Sequence, residues 1–228
     1  MGMSSAQRWM DVAANNLANI STDSFKADGI AFGDALVREM HSGGRDIGSL
    51  GSGPREVKEF TDHRAGPLRQ TANPLDIALS DARSMIAVRD GATTKFTRGG
   101  AFGLSAEGAL VTTGGAKVLD TNGGEIRLDS RVAVQIDTDG VIRQGGAPVA
   151  RIGIYEGEFT KEGQGLWTGT GVRPSSAALH AGALEGSNVD ALAGMVDLIK
   201  IGRHVEMAQR AVQTHDESTG KLLTILGR

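Results

Sequence analysis

The sequence predicts a mainly β protein of the α+β class: a central all-β domain of short antiparallel strands, with N- and C-terminal helices pairing as a coiled-coil stalk. Three observations predict it. Apolar residues step three and four apart at both ends of the chain, the period falls to two in the middle, and Gly, Asp and Asn punctuate that middle at short intervals. Glycine fills 33 of the 228 positions while aromatics make up only 4%, so tight turns around a ring-poor core are expected.

At the N-terminus, Met3, Ala6, Met10, Ala13 and Leu17 keep one stripe on one side of a helix. Trp9, Val12 and Ile20 flank the stripe, which makes the apolar surface wider than a lone helix tolerates in water. The short polar side chains from Asn19 to Ser24 compete for backbone hydrogen bonds and end the pattern. Residues 1–26 are therefore assigned to the first part of a discontinuous helical domain. Residues 27–70 are read as an extended connector, flexible over 41–54, where glycine and serine dominate and Pro54 closes the run.

Residues 71–180 are assigned to the central β-domain. Leu75, Ile77 and Leu79 alternate, and β-prone runs follow at Met85–Val88, Lys95–Thr97, Ala109–Thr112, Glu125–Leu128, Val132–Ile136, Val141–Arg143 and Val149–Tyr155. Asp90-Gly91, Glu107-Gly108, Gly114-Gly115, Asn122-Gly123 and Asp139-Gly140 separate them and supply residues that accept a positive φ. Residues 181–228 form the second part of the helical domain. Leu198, Ile201, Val205, Ala208, Val212, His215, Thr219, Leu222 and Leu226 step 3, 4, 3, 4, the signature of a coiled-coil seam. A second stripe through Leu192, Met195, Val196 and Ile199 widens the contact face, and Ser187 or Asn188 offers an N-cap. Helical from Val189 to Leu226, this segment would span about 57 Å.

Composition argues against several function classes. Twenty-four basic against 27 acidic residues give a net charge of −3, without the basic excess that a nucleic acid or an anionic membrane surface selects. With zero cysteines there is no disulfide framework and no thiolate chemistry. No apolar run is long enough to insert into a membrane, and Met1–Met10 lacks the order of a secretory signal, so export would use another route. The phosphate loop, the paired-histidine zinc motif and the nucleophile elbow are missing. Gly163-Gln164-Gly165-Leu166-Trp167-Thr168-Gly169 misses dinucleotide spacing by one residue, and Asp137-Thr138-Asp139-Gly140 lacks the downstream glutamate of a calcium loop. His41, His63, His180, His204 and His215 lie scattered. No catalytic residue, metal site or cofactor is expected. An enzymatic rival, a glycan hydrolase, would have to use carboxylates such as Glu107 and Glu125, both beside turn glycines. The pattern alone leaves open an ordinary domain with a helical stalk, a self-assembling subunit, and an adaptor presenting its seam to one partner.

The run from Val12 through Asn15, Asn16, Leu17 and Asn19 to Phe25 and Lys26 resembles the flagellar basal-body rod and hook signature A-N-N-L/I-A-N-x-x-T-x-G-F/Y-K/R. Three asparagines inside an apolar helical period have no propensity rationale. Asn73–Leu79, Lys95–Phe102 and Gly108–Thr112 are similar to that family's N-P-L-D-V/I-A, Y-T-R-x-G-x-F and G-x-L-V-T segments. Leu184-Glu185-Gly186-Ser187-Asn188-Val189-Asp190, with Met195–Ile199 and Arg203–Met207, resembles its C-terminal pattern. Ser24 stands where the family has glycine, Asp81–Ile86 replaces its G-x-G-F-F strand, and Val205 replaces an aromatic residue.

The resemblance implies a structural, non-enzymatic subunit of the flagellar basal body. Its terminal helices would form the inner layer of a helical tube lining the export channel, and its β-domain an outer layer. The implied partners are copies of itself, other rod and hook axial proteins and the flagellar export apparatus, with no nucleic acid and no direct membrane insertion. The segment Leu184–Val189 favours the proximal over the distal rod. The expected polymer interface comprises Asn15, Asn16, Leu17, Asn19, Phe25, Lys26, Leu184, Ser187, Asn188, Val189, Leu198, Ile201, Val205 and Val212.

Overall fold

A computed structural model describes residues 3–32 and 57–226. The chain divides into two compact units, one drawn from Met1–Ala18, Asp28–Asp62 and Asp190–Arg228, the other from Asn19–Ala27 and His63–Val189. The flexible stretch expected over 41–54 lies outside the described residues.

The first unit holds helix α1 (Met3–Ala18), a hairpin of β1 (Asp28–Phe32) with β2 (Val57–Thr61), and helix α2 (Ala191–Leu226). The helices pack against each other. Ala6, Ala13 and Ile201 are buried, and Met10, Leu17, Leu198, Val205 and Ala208 are half-buried, so the stripes with 3–4 spacing are the covered faces. The seam positions from Val212 onward lie on α2 with side chains outside the described set. Helix α2 begins later than expected. Its N-cap is Asp190, whose carboxylate accepts the Leu192 and Ala193 N–H groups at 2.9 and 3.1 Å. Ser187 caps only its own turn by accepting the Val189 N–H, and the Asn188 side chain is engaged by Ala27 and Arg64. The hairpin falls inside the stretch read as connector. Its strands, DGIAF and VKEFT, carry the apolar and β-prone residues that the glycine-rich centre of that stretch lacks.

The second unit is built of short strands: β3 (Leu68–Gln70), β4 (Ile77–Leu79), β5 (Ser84–Asp90), β6 (Thr93–Thr97), β7 (Phe102–Leu104), β8 (Leu110–Thr112), β9 (Lys117–Val118), β10 (Val134–Ile136), β11 (Val141–Gln144), β12 (Ala147–Arg151), β13 (Ile154–Gly163), β14 (Leu166–Pro174), β15 (Leu179–Ala181) and β16 (Ala183–Glu185). The main sheet runs β13-β14-β6-β5-β9-β8-β7, and an added β13–β5 pairing closes β5, β6, β14 and β13 into a ring. Strand β5 is the pivot. Ile86 and Val88 face the larger core with Leu110, Val118, Ile142 and Leu179, while Met85 and Ala87 face a smaller one with Phe96, Leu119 and Trp167. The five turn glycines singled out by their acidic, amide or glycine partners, Gly91, Gly108, Gly115, Gly123 and Gly140, all have φ between 61° and 85°.

Two expected elements differ, and one hairpin is additional. Glu125–Leu128 makes isolated bridges rather than a strand, because its backbone serves Val118, Leu110 and Gly108 in turn instead of one neighbour. Val149–Tyr155 is split at Ile152-Gly153: β12 pairs with β11, whereas β13 pairs with β5. Finally, β13 and β14 form a long hairpin whose alternation is obscured by Gly157, Gly169 and Gly171 and by two bulges. Gly163-Gln164-Gly165 is its turn, with Gln164 at φ 52° and Gly165 at φ 73°, which explains the glycine cluster without a nucleotide.

Candidate functional site

Helix α2 has two apolar faces with different fates. While the stripe through Leu198, Ile201 and Val205 is covered, the stripe through Leu192, Met195, Val196 and Ile199 is open to solvent; Leu192 is 76% and Ile199 58% exposed, and Met207 continues the exposure about two turns on. Four large apolar side chains at i, i+3, i+4 and i+7 form one contiguous patch. An apolar stripe of this spacing is complementary in pattern to a second amphipathic helix.

An asparagine serves the last turn of α1. Asn16, in the last turn of α1, donates from its amide to the Asp28 carbonyl at 2.7 Å and accepts the Asp28 N–H at 2.9 Å. That reciprocal pair mimics a β-bridge and ties the end of α1 to the start of β1. It explains an amide inside an apolar helical stripe better than helix propensity does.

In the β-unit, residues 19–27 are held by a buried ionic cluster. Lys26 and Glu185 are each 1% exposed. The Lys26 ammonium donates to Glu185 at 2.5 Å and to the Arg64 carbonyl at 2.7 Å. Arg98 donates to the second Glu185 oxygen at 2.7 Å, to the Ser84 carbonyl at 2.6 Å, and to the Asp81 and Leu79 carbonyls. Two cations thus share one carboxylate, and backbone carbonyl dipoles supply the remaining negative potential. Burial pushes the Glu185 carboxyl up, but the Lys26 hydrogen bond, the Arg98 charge and the Gly66 N–H together outweigh it and hold the group below the usual carboxylate range. Above the cluster, the Lys161 ammonium lies 4.3 Å from the centre of the Phe25 ring and donates to the Lys26 carbonyl.

The expected interface residues therefore divide. Leu17, Leu198, Val205 and Asn16 are half-buried and Ile201 buried in the helical unit; Asn15 is exposed. Val212 lies on α2 with its side chain outside the described set. Lys26, Leu184 and Ser187 are buried in the β-unit, whereas Asn19, Phe25, Asn188 and Val189 are half-buried there. Sequence reading passed over Glu185 and Arg98 as site residues. Both stand inside the quoted motif blocks, and the usable signal was a charged residue directly followed by glycine. The carboxylates of the hydrolase alternative are occupied: Glu107 accepts from Ser105, and Glu125 accepts from Lys117 at 3.0 Å. Lys117, helped by Arg89 and Arg127, keeps Glu125 below the usual range, which unsuits it to donate a proton.

Three family models match: the flagella basal body rod protein over residues 1–26, the flagellar hook protein FlgE/F/G D1 domain over 83–144, and the flagellar basal body rod FlgEFG protein C-terminal over 180–225. The chain is 32% identical to the flagellar basal-body rod protein FlgF of Caulobacter vibrioides, over 97% of this chain and 93% of the relative. It is 30% identical to FlgF of Rhizobium meliloti, over 97% and 92%, and 29% identical to FlgG of Bacillus subtilis, over 98% and 96%.

Proposed function

Because the chain belongs to the flagellar basal-body rod protein family, it is a structural subunit of that rod, and we propose that it polymerises through its terminal helices into a helical tube. The supporting observation is the two-faced helix α2, with one apolar stripe covered inside the subunit and the other, Leu192 to Ile199, left open. Each square ångström of that stripe covered by a neighbour contributes about 25 cal/mol, which offsets the ordering of the chain ends. A contact that joins different faces of neighbouring subunits repeats, and where its rotation does not close it generates a filament rather than a ring.

In this reading Asn15, Asn16, Leu17 and Asn19 join Leu198, Ile201, Val205 and Val212 in the inner interface, with coiled-coil pairing of the terminal helices. Phe25, Lys26, Leu184, Ser187, Asn188 and Val189 serve that interface by anchoring the segments that lead into it. The partners are further copies and other rod and hook axial proteins. The flagellar export apparatus delivers the chain, and the Leu184–Val189 motif favours the proximal over the distal rod. Light scattering against concentration tests the reading. Mass that grows without an end point supports it; saturation at fixed stoichiometry with one partner would identify an adaptor, and a constant monomer mass at high concentration would overturn it.

A further inference from the structure

The chain passes between its two units after Ala18, Ala27, Asp62 and Val189. Three of these passages are fastened to one another by groups of the β-unit. Asn188, one residue before the last passage begins, accepts the Ala27 N–H at 2.7 Å on its side-chain oxygen and donates from its side-chain nitrogen to the Arg64 carbonyl at 3.1 Å. Lys26 donates to the same Arg64 carbonyl and to Glu185. Glu185 in turn accepts the Gly66 N–H at 2.9 Å, and its carbonyl accepts the Ser24 N–H at 2.7 Å. Segments 24–27, 64–66 and 185–188 are thus each bonded to the other two, across sequence separations of 38, 124 and 159 residues.

We propose that these three segments form one cooperative collar, centred on Lys26 and Asn188, that opens and closes as a unit and so locks three chain passages together. This goes beyond the rod reading and does not depend on it. The physical ground is loop closure. No local geometry brings the segments together, so the entropy of assembling them is lost once; when any two are joined, the third docks onto a prepared surface. Backbone approach leaves no slack in this arrangement. A Cβ at Gly66 would lie 2.0 Å from the Gly186 carbonyl oxygen.

Hydrogen exchange on the full-length chain tests the collar. Asn188→Ala removes the side-chain bonds to Ala27 and Arg64 and leaves those of Glu185 in place. The expected result is exchange on the order of tenfold faster at Ser24 and Gly66, which do not bond the Asn188 side chain, as well as at Ala27, with Ala87 and Leu119 in the core unchanged. Lys26→Met should accelerate the same set, and the double variant should add less than the sum of the two. Acceleration confined to Ala27, or strict additivity, would overturn the proposal. Should core protection also fall in Asn188→Ala, Asn188→Asp carries the test, because it keeps the acceptor for Ala27 and loses the donor to Arg64. Gly66 must then still accelerate, and an unchanged Gly66 amide would refute the collar. The measurement is made on the solitary chain, so failure of polymerisation would leave its outcome intact.

Discussion

Ser24 holds φ at 57°, where its relatives' signature places glycine, and its N–H donates to the Glu185 carbonyl. The left-handed turn is kept because the buried bonds of residues 24–27 over-determine it. An L side chain there costs about 1–2 kcal/mol, and glycine returns part of that through a more mobile unfolded chain. Ser24→Gly is therefore expected to stabilise the protein by about 0.5 kcal/mol, read as a small rise in thermal midpoint. Glu185 works in the opposite direction. Glu185→Gln leaves Lys26 and Arg98 without their anion and should cost about 3–5 kcal/mol in urea unfolding at neutral pH. Its carboxyl is lowered from 4.5, so the stabilisation is complete above that value and is lost as pH falls through the lower folded value. Wild-type stability should fall on that acid side, and the variant should lose this part of the fall. The sequence showed Lys26, Asn188 and Glu185 as motif residues, yet it could not show that they meet: Lys26 and Glu185 lie 159 residues apart. The burial of Lys26 and Glu185 and the side-chain bonds of Asn188 make them internal fasteners, a role that residue type alone does not separate from an interface.

The helices were the most legible elements, because a 3–4 period over many turns has no competing explanation. Both stripes of α2 are legible in the sequence, and their different exposures separate two variants. Leu198→Asp places a charge in the covered seam and should loosen the α1–α2 pair as well as block polymerisation. Ile199→Asp alters a side chain that is 58% exposed, so helix content in circular dichroism should hold while growth in light scattering is lost. Equal polymerisation of the Ile199 variant and wild type would remove the open stripe from the interface. Strands were less legible. Turn chemistry located the hairpins around Gly91 and Gly140, but β13 and β14 were obscured because glycines inside strands erase the alternation on which recognition rests. Partner choice was also hidden: Val149–Tyr155 reads as one β run, and only the tertiary pairing reveals the switch at Gly153.

At the scale of the whole molecule, the two units differ in what they bury. The β-unit contains two clusters of buried side chains around β5, whereas Ala6, Ala13 and Ile201 are the buried apolar residues described in the helical unit. Local stability follows such burial. Limited proteolysis of the solitary chain is expected to cut first within 1–18 and 190–226 and to leave the β-unit, residues 19–27 and 63–189, resistant; simultaneous loss of both parts would show a single cooperative unit. The helical unit is also assembled from three separated stretches, with the β-unit's residues between them. During synthesis, or passage through a narrow pore with the N-terminus leading, α1 emerges first and its packing mate α2 last. The β-unit can complete its tertiary structure in that interval, while the earliest residues wait exposed. Any factor that shields them must therefore remain bound until almost the whole polypeptide has emerged.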